Sequence, residues 1–169
     1  VQTHLAAIKK LLTASYVKKG CVQLLPKDIR QVRNHLLHQQ SGTPNICVEN
    51  LKLYSMIHVG IYLFLRSEEL VNLQYSDLQD KYTVVDVSTG EVLCLVFSVK
   101  GKTDDHVHLL RLWANRRHPE LCPIIHLLIY IAQSDSNDGW LFPSPTNSTE
   151  KYDYDHLLDV MKSLCVDVL

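Results

Sequence analysis

The sequence predicts an α+β fold, mostly helical, with a small three-stranded antiparallel sheet. Three observations predict it. Apolar residues recur at helical spacing up to residue 65, the period shortens to that of strands between 82 and 112, and helical spacing returns from 122. An order of helices, a strand meander and more helices is that of an α+β protein rather than an alternating α/β one. At 169 residues the chain can bury a proper core, and 46% hydrophobic with 21% charged residues is ordinary for a globular protein.

The elements follow in order. Val1, Leu5, Ile8 and Leu12 lie on one face of a helix that runs to about Lys19 and stops at Gly20. A second helix fits residues 27–39, after Pro26 and with Asp28 in the first turn, where a carboxylate suits the helix dipole. Ser41-Gly42-Thr43-Pro44-Asn45 is a breaker-rich linker and marks the boundary between two units, 1–45 and 46–169. Residues 49–65 form a long helix whose second half, MIHVGIYLFL, is apolar nearly all round and so must be buried on several sides. Ser67 can cap a short helix carrying Glu68 and Glu69 in its first turn.

YTVVDV (82–87) and EVLCLVFSV (91–99) read as strands joined through Ser88-Thr89-Gly90, and KGKTDD leads to a third strand, HVHLLRL (106–112). CPIIHLLIYIAQ (122–133) is helical, with Pro123 suited to the first turn. After the GWLFP stretch and a polar loop, a last helix begins near Tyr152.

Seventeen Lys and Arg against eighteen Asp and Glu give a net charge of −1, so no overall basic footprint announces a nucleic-acid partner. Five scattered cysteines without a C-x-x-C pair suit buried thiols in a reducing compartment better than disulfides or a zinc site. No apolar run is long enough for a membrane span, and no signal-peptide pattern opens the sequence, so an intracellular protein without a membrane role is expected. Phosphate-loop, zinc-protease and serine-hydrolase motifs are missing.

A buried helix ending in LR-x-x-EL, a three-stranded hairpin sheet with lysine in its second turn, then LCPIIHLLIYI and LFP, is similar to tyrosine recombinases of the phage-integrase class. The wording VKGKTD…LCP…LFP looks closest to the eukaryotic, transposon-encoded Crypton-like branch. The resemblance implies DNA strand cleavage and rejoining through a phosphotyrosine link. It also implies double-stranded DNA as partner, a homo-oligomer on that DNA, no cofactor and a nuclear location. Residues 1–45 would be the end of a helical core-binding domain plus linker, and 46–169 the first two-thirds of a catalytic domain.

Arg66 matches the family's first catalytic arginine, and Glu69 its supporting acidic residue. A guanidinium offers a planar fork that can hold two phosphate oxygens at once, and charge developing on a phosphorane needs such donors. The plain alternative is a structural Arg66–Glu69 ion pair at a helix junction. The hairpin lysine would protonate the departing 5′ oxygen. Alignment on the following strand selects Lys100, whereas GKT taken alone favours Lys102, and both can also be solvated turn residues.

Arg111, Arg116 and Arg117 beside Trp113 could grip a phosphate backbone, forming with Lys9, Lys10, Lys18 and Lys19 of the first helix a positive face that the net charge hides. The alternative is a solvated loop anchored by the tryptophan. Lys102 is a further DNA-binding candidate. The family's H-x-x-R box and nucleophilic tyrosine would fall beyond Leu169, so this stretch is expected to be catalytically incomplete. The alternative reading is a recombinase-derived DNA-binding, scaffold or regulatory protein that keeps the fold without the chemistry. A literal H-x-x-R at His108–Arg111 falls on a strand, where positions i and i+3 face opposite ways. Tyr152 and Tyr154 precede the place where the box should be. His106 and His108 share a strand face near carboxylates but lack a third ligand, so no metal site is assigned. His126 is expected to be a core histidine with a satisfied hydrogen bond.

Overall fold

Residues 51–59 of the helix at Val48–Leu63 are buried on every side, and the rest of the chain is arranged around them. In the computed structural model, residues 25–38, 47–100, 106–134 and 137–168 are described. Helix α1 spans Pro26–His38 and α2 spans Val48–Leu63. After them come α3 (Ser67–Val71), β1 (Val84–Val85), β2 (Val92–Lys100) and β3 (Val107–Trp113). Helices α4 (Pro123–Gln133) and α5 (Tyr154–Val168) complete the order. The expected helix at 1–19, the linker at 41–45 and Lys102 lie outside the described residues.

Leu51, Tyr54, Met56 and Val59 of α2 are almost entirely shielded from water. Even its Lys52 is buried, with Nζ held 2.6 Å from Glu49 Oε2 and donating to the Pro143 carbonyl at 2.8 Å. That pairing is what makes a buried ammonium tolerable. Helix α1 contributes Ile29, Val32 and Leu36 to the core that also holds Leu51, Phe97, Leu127 and Leu157. Thus α1, on the N-terminal side of the boundary expected at residue 45, packs into one core with the elements after it.

The sheet is an antiparallel meander in the order β1-β2-β3, as expected. The long pairing runs in register from Cys94↔Trp113 to Lys100↔Val107. Its inner face, with Leu95, Phe97, Val99 and Leu112, joins the core, where the sheet packs on both α2 and α4. The first strand is shorter than the 82–87 the sequence suggests. Asp80–Tyr82 forms a tight 3-10 turn, and the reversal begins at Asp86. The Asp86 carboxylate accepts from the Ser88 amide at 2.9 Å and the Ser88 hydroxyl at 2.6 Å, and its carbonyl accepts from Gly90. Val87 is left pointing into solvent. Local side-chain hydrogen bonding overrides strand propensity here.

Candidate functional site: a cleft between a helix junction and the sheet

At the end of α2, Phe64 turns the chain in the left-handed conformation (φ 54°, ψ 36°), and the amides of Phe64 and Leu65 close back onto the carbonyls of the last turn. Arg66 follows in extended conformation and occupies the N-cap of α3. Ser67, expected to be the cap, is instead the first helical residue. An arginine side chain cannot accept a hydrogen bond, so capping is supplied in the reverse direction. Glu69 Oε2 accepts from the Arg66 main-chain amide at 2.9 Å, which is the half of a capping box that a glutamate contributes. Among the described residues no ion pair involves the Arg66 guanidinium, and the side chain is exposed.

Arg66 and Lys100 line one cleft of about 370 Å³, with Glu68, Glu69, Asn72, Gln74, Asp77 and Ser98 around them. Lys100 is the last residue of β2, so the sheet presents it from the wall facing α3. The walls are tied down locally. The Asn72 amide donates to the Glu68 carbonyl at 2.7 Å, and Lys151 donates to Asn72 Oδ1 at 2.9 Å. Asp77 Oδ2 accepts from the Gln74 amide at 2.8 Å. Burial pushes the Asp77 carboxyl above its ordinary range, and the Gln74 N–H opposes part of that rise. The cleft therefore combines two cations from different elements with three carboxylates, of which Glu69 and Asp77 are already engaged by main-chain amides.

The other arginines lie elsewhere. Arg111 is exposed on β3 opposite Val96, part-way along the sheet. Arg116 lies at the opposite end of β2 from Lys100, bonded to Glu91 at 3.0 Å and near Asp86 at 3.8 Å. The nine-residue strand between them is roughly 30 Å long. Arg117 neighbours Arg116 and is exposed. Among the described residues, no cluster of three His, Cys, Asp or Glu could hold a metal, and β3 begins only after His106. Register puts His108 opposite Val99 and Arg111 opposite Val96, on opposite faces of the strand.

Sequence reasoning passed over Asn72, Gln74, Asp77 and Ser98, which line the cleft. It also missed His58, a fully buried imidazole with neither ring nitrogen hydrogen-bonded. The His58 ring lies 4.2 Å from Tyr54 and 5.4 Å from His126, centre to centre. Burial lowers His58 to about 3, and positive charge on His126 and Arg33 would add to that. His126 itself is buried and bonded through Nδ1 to the Cys122 carbonyl at 2.8 Å, as a core histidine should be. Burial pushes the Tyr152 hydroxyl up to about 12, which suits a packing residue and not a nucleophile.

No family model matches this sequence, and no curated protein matches it. Solved structures do. The fold is similar to that of XerA recombinase, with TM-score 0.54 and 15% identity over 87% of this chain and 42% of that one. It is also similar to XerH site-specific recombinase bound to difH substrate in a pre-cleavage complex, with TM-score 0.52 and 16% identity, covering 89% of this chain and 38% of XerH. A post-cleavage complex of XerH on palindromic difH matches with TM-score 0.52 and 14% identity. The chain thus spans well under half the length of these recombinases. It shares the mixed helical and three-stranded antiparallel fold of tyrosine recombinase catalytic domains.

Proposed function

We propose that the chain is part of a site-specific tyrosine recombinase, and that its cleft receives a phosphate of double-stranded DNA. One observation carries the reading: Arg66 and Lys100, separated in sequence and borne by different elements, line the same cleft. Arg66 would hold two non-bridging oxygens of the scissile phosphate, and Lys100 (or Lys102) would protonate the 5′ oxygen as it leaves. A tyrosine beyond Leu169 would attack the phosphorus, forming a phosphotyrosine bond as the bond to the 5′ oxygen breaks. An H-x-x-R box, also beyond Leu169, would complete the donors around the developing charge. Within this reading Glu69 fixes the main chain from which Arg66 projects. Residues 1–45 would end a helical core-binding domain and supply the linker, and residues 46–169 would form the first two-thirds of the catalytic domain. The sequence wording favours the Crypton-like branch, and with it a nuclear location and oligomers on DNA.

A second reading has its own support. Three carboxylates share the cleft with the two cations, and Arg116 is engaged by Glu91 and Asp86. Those features suit a recombinase-derived DNA-binding or scaffold protein that has kept the fold and lost the chemistry.

A longer protein containing this chain, incubated with nicked duplex substrates, separates the two. The enzyme reading expects a covalent protein–DNA adduct that Arg66→Ala abolishes while folding is retained. Duplex binding without adduct supports the derived protein. No duplex binding even at low salt, where counterion release favours it most, would remove both.

A further inference from the structure

Lys151 stands at the rim of the cleft that holds Arg66 and Lys100, and it comes from a third part of the chain. It lies between the Leu141-Phe142-Pro143 stretch and α5, where it pairs antiparallel with Pro143 in an isolated bridge. Main-chain bonds on both sides fix it. The Ser144 amide donates to the Glu150 carbonyl at 2.8 Å, and the Tyr152 amide to the Phe142 carbonyl at 3.1 Å. Neighbouring residues of an extended segment face opposite ways, so Tyr152 is sunk in the core, 1% exposed, and Lys151 points outward. Its Nζ donates to Asn72 Oδ1 at 2.9 Å, and Asn72 lines the cleft.

What holds this ammonium is a neutral amide. The nearest carboxylates along the chain have other partners: Glu150 Oε1 accepts from the Asn147 side chain at 3.0 Å, and Asp153 Oδ1 from the His156 main-chain amide at 2.7 Å. Among the described residues Lys151 makes no ion pair, whereas Arg116 is held by Glu91. An exposed ammonium on a neutral acceptor exchanges readily for a phosphate oxygen, because attraction between opposite charges is added to the bond. Lys151 also lines a second concavity, of about 670 Å³, with Trp140 and Tyr154. The Gln74–Trp140 bridge joins its wall to that of the cleft. Lys151 thus belongs to the partition between two adjoining depressions.

We propose, on the phosphate reading of the cleft, that Lys151 holds the phosphate next along the strand, exchanging Asn72 for a phosphate oxygen when DNA binds. Asn72 stands between Lys151 and the cleft, so the ammonium meets a neighbour of the phosphate held by Arg66 and Lys100. Its contribution is grip and register, with no part in the chemistry.

Duplex affinity across a salt series, read by fluorescence anisotropy on a labelled duplex of mixed sequence, tests it. Lys151→Gln keeps a donor for Asn72 and removes the charge. It should melt close to wild type while its salt slope falls by about one. The ratio of wild-type to variant affinity should then be about fourfold larger at ~50 mM salt than at ~200 mM. Lys151→Arg should keep the wild-type slope. Arg66→Ala, measured alongside, separates this assignment from the reading beneath it. If Arg66→Ala lowers the slope and Lys151→Gln does not, Lys151 is only a tie to Asn72 and its assignment fails alone. If neither lowers it, or wild type binds no duplex, the cleft takes no phosphate and both fail. Lys151→Arg behaving as Lys151→Gln does would also overturn the proposal, since the charge would count for nothing.

Discussion

Arg66 is exposed and its guanidinium makes no ion pair among the described residues, while its main-chain amide is held by Glu69. Those two facts separate its contributions. Arg66→Ala should change stability by no more than about 0.5 kcal/mol, as surface substitutions usually do, while weakening DNA binding. A melt that collapses would make Arg66 structural and its assignment to phosphate wrong. Glu69→Ala should cost about 1 kcal/mol through the lost cap. Glu69→Gln should restore most of that stability, since an amide oxygen also accepts from the Arg66 N–H. If Gln restores stability but DNA binding stays as weak as in Glu69→Ala, the carboxylate acts on the guanidinium after all. The juxtaposition of Arg66 and Lys100 was legible because each stands in a short motif whose helical or hairpin context is itself legible. The capture of Arg116 by Glu91 and Asp86 was not, because it depends on how the β1–β2 turn closes, and Asp86 moved that turn.

Helix α2 was readable as buried from its unbroken apolar run, and α4 was readable as a helix with Pro123 in its first turn, although its Ile125, Leu128 and Ile129 stay exposed. What the run could not reveal was the polar content of their contact. His58 sits there with both nitrogens unpaired, its ring against Tyr54 and near His126. An unfolded imidazole takes up its proton near pH ~6.5, whereas folded His58 does so only at about 3 and folded His126 is lowered in the same direction. The unfolded state therefore binds more protons below pH ~6.5, and stability falls as pH drops from there towards the folded values. Each histidine can contribute a slope of at most about 1.4 kcal/mol per pH unit. Denaturant titrations between pH ~7 and ~5 should show this loss, and His58→Phe should reduce its slope. Equal slopes in wild type and variant would mean that His58 finds a partner for its proton in the folded protein. Strand β1 shows the opposite kind of shortfall: Val84, Val85 and Val87 carry strand propensity, but side-chain bonds from Asp86 end the pairing after two residues.

One core unites α1, α2, the sheet, α4 and α5, and its outer surface is not uniformly basic. The fold class was legible because the change of hydrophobic period is a local property of the chain. The division at residue 45 rested on linker composition, which carries no information about packing; Ile29, Val32 and Leu36 of α1 join the same core as α2. Among the described residues no helix is long and apolar enough to cross a membrane. For DNA binding, the layout separates Arg66 and Lys100 in the cleft from Arg116 at the far end of the sheet. Arg116→Ala should therefore leave duplex affinity nearly unchanged, because its charge is already matched by Glu91 and Asp86. Loss of a phosphate-binding cation should instead lower affinity on all sequences and reduce the salt slope by about one. The most direct measurement is a double-mutant cycle of Arg66→Ala and Lys100→Ala on duplex DNA affinity at low salt, read by fluorescence anisotropy. If both hold one phosphate, each single change weakens binding and the second costs clearly less than the first, a coupling of at least about 0.5 kcal/mol. Additive losses, or a double variant that binds as wild type does, would contradict a shared phosphate in the cleft.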